Sequence, residues 1–547
     1  MHYGCAPVGY ETDVLVIGGG PTGLAAAVEL GGRGVSCVVV EPRERVSRLR
    51  PRAKTTSVRT MEHFRRWGLA QRIREVAPLK VGWSQEIVFC ATLLGPEVTR
   101  FDDCFDLCTG RSDVFAETSQ QIPQPLVEEV LRERVAGLPA VEPLLGWRME
   151  GLEERADGVL VTIADERGAR RVVHASYVIG ADGAGGRTRA AIGTRYEGSS
   201  LERPNLTVVF RAPDLADRIP HGPAIQYWSI DPAAPAFAGR LDLDGVWWIG
   251  FIGVDGTRGD VDERALIDAA AGERVDAEVL STDPWLNRML LAERWSTDRV
   301  FLAGDAAHLN PPWGGHGFNT GIGDAVNIGW KLAAVLQGWG GGSLLASYEA
   351  ERRPVAQETI DVASSHTSHL AADLADPLLR DPGAAGAARR AAAAEEIQRA
   401  KFSEFHSRGL VLGSGYEGSP LVIGDGTEPP PRDPVAYVPS AHPGARLPHA
   451  WLDASRCVFD LLGPGFSVVR ARPGCDPEPL LRAAADRGVP ATLVDVAGHG
   501  LEGLYGAGLL LVRPDGHVAW RGEDAPADPA APLDVARGAA SLRLGRA

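Results

Sequence analysis

The chain has 547 residues, 44% of them hydrophobic, and a formal net charge of −15, so it exceeds a single core and is expected to form two to four soluble units. That acidic balance excludes a nucleic-acid surface, no apolar run is long enough to span a membrane, and no basic-then-apolar leader is visible at the N-terminus. Seven scattered cysteines, odd in number and without a metal-ligand spacing, point to free thiols in a reducing cytosol and to no metal.

In chain order, the apolar run 12–17 is too short for a helix and is followed at once by Gly18-Gly19-Gly20-Pro21-Thr22-Gly23. The helix-forming run that starts at Leu24 and a second buried strand over 35–40 complete a strand–helix–strand unit of parallel-sheet type. Gly18 permits the tight turn, Gly20 lets the backbone approach a pyrophosphate, and Gly23 allows the helix to pack closely on the strand. The helix start at Pro21 and Thr22 offers free N–H groups to phosphate. Glu41 follows at the offset of about 20 residues where a carboxylate accepts ribose hydroxyls, and an acid there favours FAD or NAD.

Further on, 125–136 reads as a helix, and 148–153 with 158–163 as a hairpin. Asp182-Gly183 comes next. Residues 200–290 alternate apolar and polar positions, as expected of an inserted antiparallel sheet; Tyr227 and Trp228 lie on one strand, Trp247 and Trp248 on another. The strand 299–304 ends in Asp305, placed to hold ribityl hydroxyls, and Gly314–Asn319 turns into a helix over 324–337. That turn can present N–H groups to an anionic ring edge, the charge that reduced flavin carries, and so selects FAD over NAD. A helix over 383–400, a Pro- and Gly-rich linker over 424–447 and a small α/β domain close the chain.

The run from Gly304 to Ala333, Ser347–Pro354, Arg52 to Glu62, Gln124 with Glu128, and Gly180-Ala181-Asp182-Gly183 together resemble the class A flavoprotein monooxygenases that hydroxylate aromatic rings. The resemblance covers nearly the whole chain, and is to the phenol and polyketide hydroxylases with a thioredoxin-like C-terminal domain. It implies an α/β fold: a Rossmann-type FAD-binding domain over 1–190 and 291–423, with the helical segment in the second part, and an inserted mixed-sheet substrate domain over 191–290 plus segments around 80–115. The linker 424–447 and a thioredoxin-like domain over 448–547 follow. Cys475 has no Cys-x-x-Cys partner, so packing or dimerisation, not thiol exchange, is expected there.

By resemblance, non-covalent FAD touches Arg52, Gln124, Met149, Asp182, Asp305, Gly315, Gly317, Phe318 and Asn319 besides the glycine loop, and Pro312 sits near the ring's reaction face. NADPH or NADH binds transiently as reductant, since there is no second glycine fingerprint, and O2 forms a flavin C4a-hydroperoxide that oxygenates a small phenolic or quinonoid ring. Gly186 stands where the family has Ser, which puts the nicotinamide geometry in question, while Arg189 is kept. Tyr227 and His316 are the candidate substrate-side groups, with Arg211 and Asp242 either substrate-binding or surface-paired; no base is assigned. Baeyer–Villiger oxygenation and an idle flavin-binding partner are the alternatives; the Phe-x-Gly-x-x-x-His and halogenase Trp-x-Trp-x-Ile-Pro runs are missing. A homodimer is compatible with the acidic surface.

Overall fold

A computed structural model describes residues 8–50, 53–368 and 372–540. Val14, Leu15 and Val16 of the strand Val8–Ile17, like Val38–Val40 of Cys37–Glu41, are buried on both faces, as strands inside a parallel sheet must be. These two strands pair in parallel, and Val8–Ile17 also pairs in parallel with Arg170–Gly180. Val141–Leu145 extends one side, Val300–Leu302 joins Arg170–Gly180, and the antiparallel hairpin Trp147–Arg155 with Gly158–Asp165 completes a seven-stranded sheet. The helices Pro21–Gly31 and His316–Leu336 pack on each other beside it.

A second sheet has eight strands, most of them from residues 196–309, with Ile87–Cys90 and Glu97–Phe101 added at one edge. Its two faces follow the period of two. Tyr227, Trp247, Ile249 and Phe251 point to one side, where they meet Ile267, Ala270 and Ala271 of the helix Glu263–Ala271. Trp228, Phe237 and Ile252 point to the other, against Ala393, Ile397 and Phe405 of the helix Ala384–Phe405 and against Trp313.

The C-terminal unit is a four-stranded mixed sheet. Phe466–Arg470 pairs in parallel with Ala491–Asp495 and antiparallel with Leu509–Val512, which pairs with Val518–Gly522. Leu480 and Ala484 of the helix Glu478–Asp486 and Leu533 of Ala530–Ala536 share a core with Phe466, Leu509, Trp330 and Trp339, so this unit is packed on the rest rather than tethered. Buried ions match across the junction. Glu351 accepts from Lys331 Nζ (2.6 Å) and from both Arg513 Nη atoms (2.6 and 2.9 Å), and Asp515 accepts from Arg513 (2.6 Å) and from Trp330 Nε1 (3.1 Å). Residues 424–447 carry no helix or strand, yet they include Arg446, buried in an ion pair with Glu62.

Candidate cofactor site and substrate face

The glycine loop is held by its own geometry. Gly18 has φ 103°, and a Cβ there would lie 2.3 Å from the Ala181 carbonyl oxygen; at Gly23 it would lie 1.9 Å from the Gly18 oxygen. Gly18 thus brings the loop against the strand carrying Ala181, and Gly23 lets the helix start directly under it. A Cβ on Gly20 would meet nothing within 4 Å, because Gly20 borders a cavity of about 720 Å³.

Gly18, Gly20, Pro21, Thr22, Glu41, Gln124, Met149, Asp182, Asp305, Gly317 and Phe318 line that one cavity, although they come from seven separate stretches of chain. Glu41 Oε2 accepts from the Gly19 N–H (2.8 Å) and Oε1 from the Arg43 backbone and Nε (3.0 and 2.6 Å), which fixes the carboxylate against the loop. Gln124 Nε2 donates to Glu128 (2.9 Å), whose pKa is raised by burial. Asp182 Oδ2 accepts from the Thr188 N–H and hydroxyl (both 2.9 Å), whereas its buried Oδ1 has no partner. Burial raises the Asp182 pKa. A Cβ on Gly186 would lie 2.2 Å from the Asp182 carboxyl carbon, so the family's Ser at that position would have to displace Asp182 from this position.

This cavity fits FAD on three counts. Its length of contact runs from the glycine loop to Phe318, the glycine loop carries no side chain where phosphates would approach, and the orphaned Asp182 oxygen lacks the donor that a sugar hydroxyl supplies.

Gly23, Gly315 and Asn319 do not line the cavity but shape it. Gly315 is left-handed (φ 68°) with Thr55 3.3 Å from its missing Cβ. The Asn319 amide donates to Thr55 O (3.0 Å) and Gly315 O (2.8 Å) and accepts from the Ser57 N–H (2.9 Å), so its side chain is spent on joining the turn 313–319 to residues 55–57. Pro312 is exposed at the head of that turn. Arg52 lies outside the described residues.

Two expected positions need correction. Tyr227 faces the helix Glu263–Ala271, away from the turn 313–319; its hydroxyl donates to Gly222 O (2.5 Å) and accepts from the Ala224 N–H (2.9 Å), so it braces a turn. Its pKa is pushed up to about 12 by burial. His316 does not line the large cavity; it lines a smaller interior one of about 90 Å³ with His63, Arg352, Arg446 and His517. Burial lowers its pKa to about 4, so the ring is neutral near pH 7, and its Nε2 has no partner. Neither side chain lines the large cavity. Arg211 pairs with Glu278 at the surface (3.7 Å), and Asp242 caps its own turn through the Asp244 and Val246 N–H groups.

Sequence reasoning passed over Asp324. It is fully buried in the helix His316–Leu336, with Oδ2 accepting from the Gly304 N–H (3.0 Å) and meeting His308 Nε2 (2.8 Å), and Oδ1 accepting from Arg352 Nε (2.8 Å). Arg352 and His308 hold its carboxyl below the usual carboxylate range against the opposing effect of burial. This network fixes the strand end that presents Asp305. Only the spacing of an acid 20 residues after Gly304, on the inner face of a helix, could have suggested it.

The second sheet offers an aromatic face to the turn 313–319. Trp313 packs against Phe237 (ring centroids 5.5 Å apart), Trp228 (6.0 Å) and Trp285 (6.4 Å), and Trp248 meets Phe237 edge-on at 5.3 Å. Trp248 and Trp285 remain partly exposed. Lys54, buried beside them, donates to Ile225 O (2.9 Å); its neighbour Ala53 lines the large cavity. No helix of the described residues is long and apolar enough to cross a membrane, and none of them form a group of metal ligands.

Residues 11–363 match the family described as FAD binding domain, and residues 440–541 the family described as aromatic-ring hydroxylase, C-terminal. Among curated relatives, the chain is 32% identical to 2,4-dichlorophenol 6-monooxygenase of Delftia acidovorans, over 93% of this chain and 95% of the relative. It is 33% identical to tetracenomycin B2 monooxygenase-dioxygenase of Streptomyces olivaceus, over 96% and 97%. Among solved structures, RebC with bound 7-carboxy-K252c superimposes with a TM-score of 0.90 at 37% identity, covering 98% of this chain and 100% of that one. PieE in complex with FAD and substrate gives 0.89 at 30%, covering 97% and 100%. With the cavity, the turn and both matched domains in agreement, the chain belongs to the FAD-dependent aromatic-ring monooxygenases.

Proposed function

We propose that the protein hydroxylates an electron-rich phenolic or quinonoid aromatic ring, consuming NADH or NADPH and O2. One observation carries this reading: the turn whose Gly317 and Phe318 line the large cavity is the same turn whose Trp313 packs into the aromatic face of the second sheet. A flat substrate held on that face lies next to a flat cofactor ring. Relatives that act on a chlorinated phenol and on tetracenomycins support the class of substrate.

Bound FAD would supply electron acceptance from the nicotinamide and activation of oxygen, chemistry that no side chain provides. The chain's own contribution is to hold and to exclude. The loop Gly18–Gly20 and the helix start at Pro21 would take the pyrophosphate, Glu41 the adenosine ribose, and Asp305 the ribityl chain, with Gly317 and Phe318 at the ring. Asn319 and Asp324 position these groups without touching the cofactor. Trp228, Phe237, Trp285 and Trp313 keep water from the reacting face. The six described cysteines are unpaired, which supports a reducing, cytosolic setting.

The test is to mix purified flavin-loaded protein with NADPH, oxygen and a panel of phenols, naphthols and hydroxyquinones. The expected result is a ring that accelerates flavin reduction and leaves as a product heavier by one oxygen atom. A product carrying a new lactone would replace hydroxylation by Baeyer–Villiger insertion. Flavin that is bound but reduced at the same rate with every ring present would point to an idle flavin-binding partner.

A further inference from the structure

Among the described residues three lysines are buried, and two of them have a carboxylate. Lys331 meets Glu351 at 2.6 Å and Lys401 meets Glu404 at 2.8 Å. Lys54 is buried too, though 9% exposed where the other two are fully enclosed, and no carboxylate among the described residues lies within ion-pair distance of it; its one acceptor is the Ile225 carbonyl. An ammonium taken out of water without a counter-charge is costly, so such a group either rests neutral or waits for a negative ligand.

Its surroundings fit a neutral amine that awaits an acidic ligand. Lys54 Nζ lies 5.9 Å from the centre of the Trp248 ring. The absent Cβ of Gly239 would sit 2.7 Å from Ile225 O, 3.0 Å from Trp248 Nε1 and 3.1 Å from that Nζ, so two donors converge over a glycine beside the carbonyl that Lys54 already binds. Trp248 Nε1 is itself buried without an acceptor, as is Trp313 Nε1. On the chain, Lys54 stands between Ala53, which borders the large cavity, and Thr55, whose carbonyl is bound by Asn319. It therefore stands between the large cavity and the aromatic face.

We propose that Lys54, with the Trp248 indole N–H beside it, is the anion anchor and proton acceptor for an acidic ring hydroxyl of the substrate. The substrate O–H bond breaks, an N–H bond forms on the neutral amine, and an ammonium–phenolate pair is left on the aromatic face; no other reactant is needed. This rests on the hydroxylase assignment above and names its substrate class. Burial alone lowers the Lys54 pKa from 10.5 to about 7. An ordinary phenol, with a pKa of about 10, would give up its proton to such an amine only in part. A hydroxyquinone or an electron-poor phenol would give it up fully, and those are the rings the site selects.

The probe is alizarin, a dihydroxyanthraquinone that is yellow when neutral and red as the monoanion, titrated into the holoenzyme below its own ionisation pH. The wild type is expected to bind it as the red monoanion, and Lys54→Met to bind it as the yellow form about tenfold to a hundredfold more weakly, the loss of one charge-assisted hydrogen bond. Trp248→Phe keeps the charge and removes the second donor, so it should weaken binding a few-fold without loss of the red band. Alizarin bound yellow by the wild type, not bound by it, or bound red by Lys54→Met overturns the proposal; the wild-type spectrum decides even if Lys54→Met does not fold. The hydroxylase assignment is read separately, from ring-stimulated NADPH oxidation in the same protein. It can fail while the red band stays, or stand while the band is missing.

Discussion

Two regions of this molecule bury charge, and they do so in opposite ways. At the junction with the C-terminal sheet, Lys331 and Arg513 are matched by Glu351 and Asp515, and Ser419 and Asn327 fill the remaining acceptor positions on Glu351 (2.5 and 2.8 Å). On the aromatic face, Lys54 has a single carbonyl, and the indole N–H beside it has nothing. A network closed around its charges makes a joint specific, because each ion is matched by another part of the same chain. An open one marks a place where satisfaction must come from outside. Burial by itself does not distinguish a joint from a site; a buried cation without a counter-charge does.

The largest effect that follows is at the junction. Glu351→Gln leaves Lys331 and Arg513 short of a counter-charge in a water-free environment, and removing one partner of a buried ion pair costs about 3–5 kcal/mol. Urea denaturation of the holoenzyme should show a loss of that size, with the C-terminal sheet unfolding earlier than the rest. A loss below about 1 kcal/mol would mean that the apolar contacts of Trp330, Trp339 and Phe466 hold the joint without the ions.

The cofactor cavity is open as well, by glycine rather than by charge. Gly20→Val projects a side chain into space that no protein atom fills, so the protein should fold and keep its stability within about 1 kcal/mol. Flavin retained after gel filtration should fall sharply, with affinity lower by about a hundredfold or more, equivalent to about 2.7 kcal/mol. Gly23→Ala is the contrasting variant: its Cβ meets the Gly18 oxygen at 1.9 Å, so it should lose stability along with flavin. Equal flavin content in Gly20→Val and wild type would remove the glycine loop from the binding site.

For Lys54 the expected signature is a pH slope. The folded pKa of about 7 lies below the unfolded 10.5, so between those values the unfolded chain binds more protons. Stability therefore rises with pH through that window, by up to about 1.4 kcal/mol per unit, and is lowest below pH 7, where the folded protein must carry the unpaired charge. Lys54→Met should flatten this slope and be at least as stable as wild type near neutrality. A variant less stable than wild type at pH 7, with the slope intact, would mean that the amine is structural.

What the sequence discloses of these regions depends on how far each interaction reaches. Gly18 and Gly23 are legible because the backbone itself demands them: a left-handed turn and a helix starting under it are local requirements, written within six residues. Glu41 and Asp305 are legible because a strand end fixes where a carboxylate points. Asp324 is not, because its work is done on Gly304 and Arg352 across a helix, and a helical acid looks like any other. Alternation places Tyr227 and Trp228 on opposite faces without saying which face meets the turn 313–319; that is decided by Trp313 and by the helix Glu263–Ala271, both distant in sequence. Lys54 has no periodic neighbours at all, so its burial is visible only once the second sheet is built around it.

That last distinction also sets the smallest prediction. If the site is on the face of Trp228, then Tyr227 on the opposite face is a turn brace, and Tyr227→Phe should leave ring-stimulated NADPH oxidation and its pH profile unchanged. The cost is the hydroxyl's bonds to Gly222 O and from the Ala224 N–H, about 1 kcal/mol of stability, because the phenyl ring still fills the core beside Trp247. The paired measurement is Trp228→Phe, which trims the other face and should raise the KM for the ring substrate while leaving flavin content alone. A fall in kcat for Tyr227→Phe with its fold intact would turn the sheet over: the substrate would then lie against Trp247, and the open donors of Lys54 and Trp248 would need a different explanation.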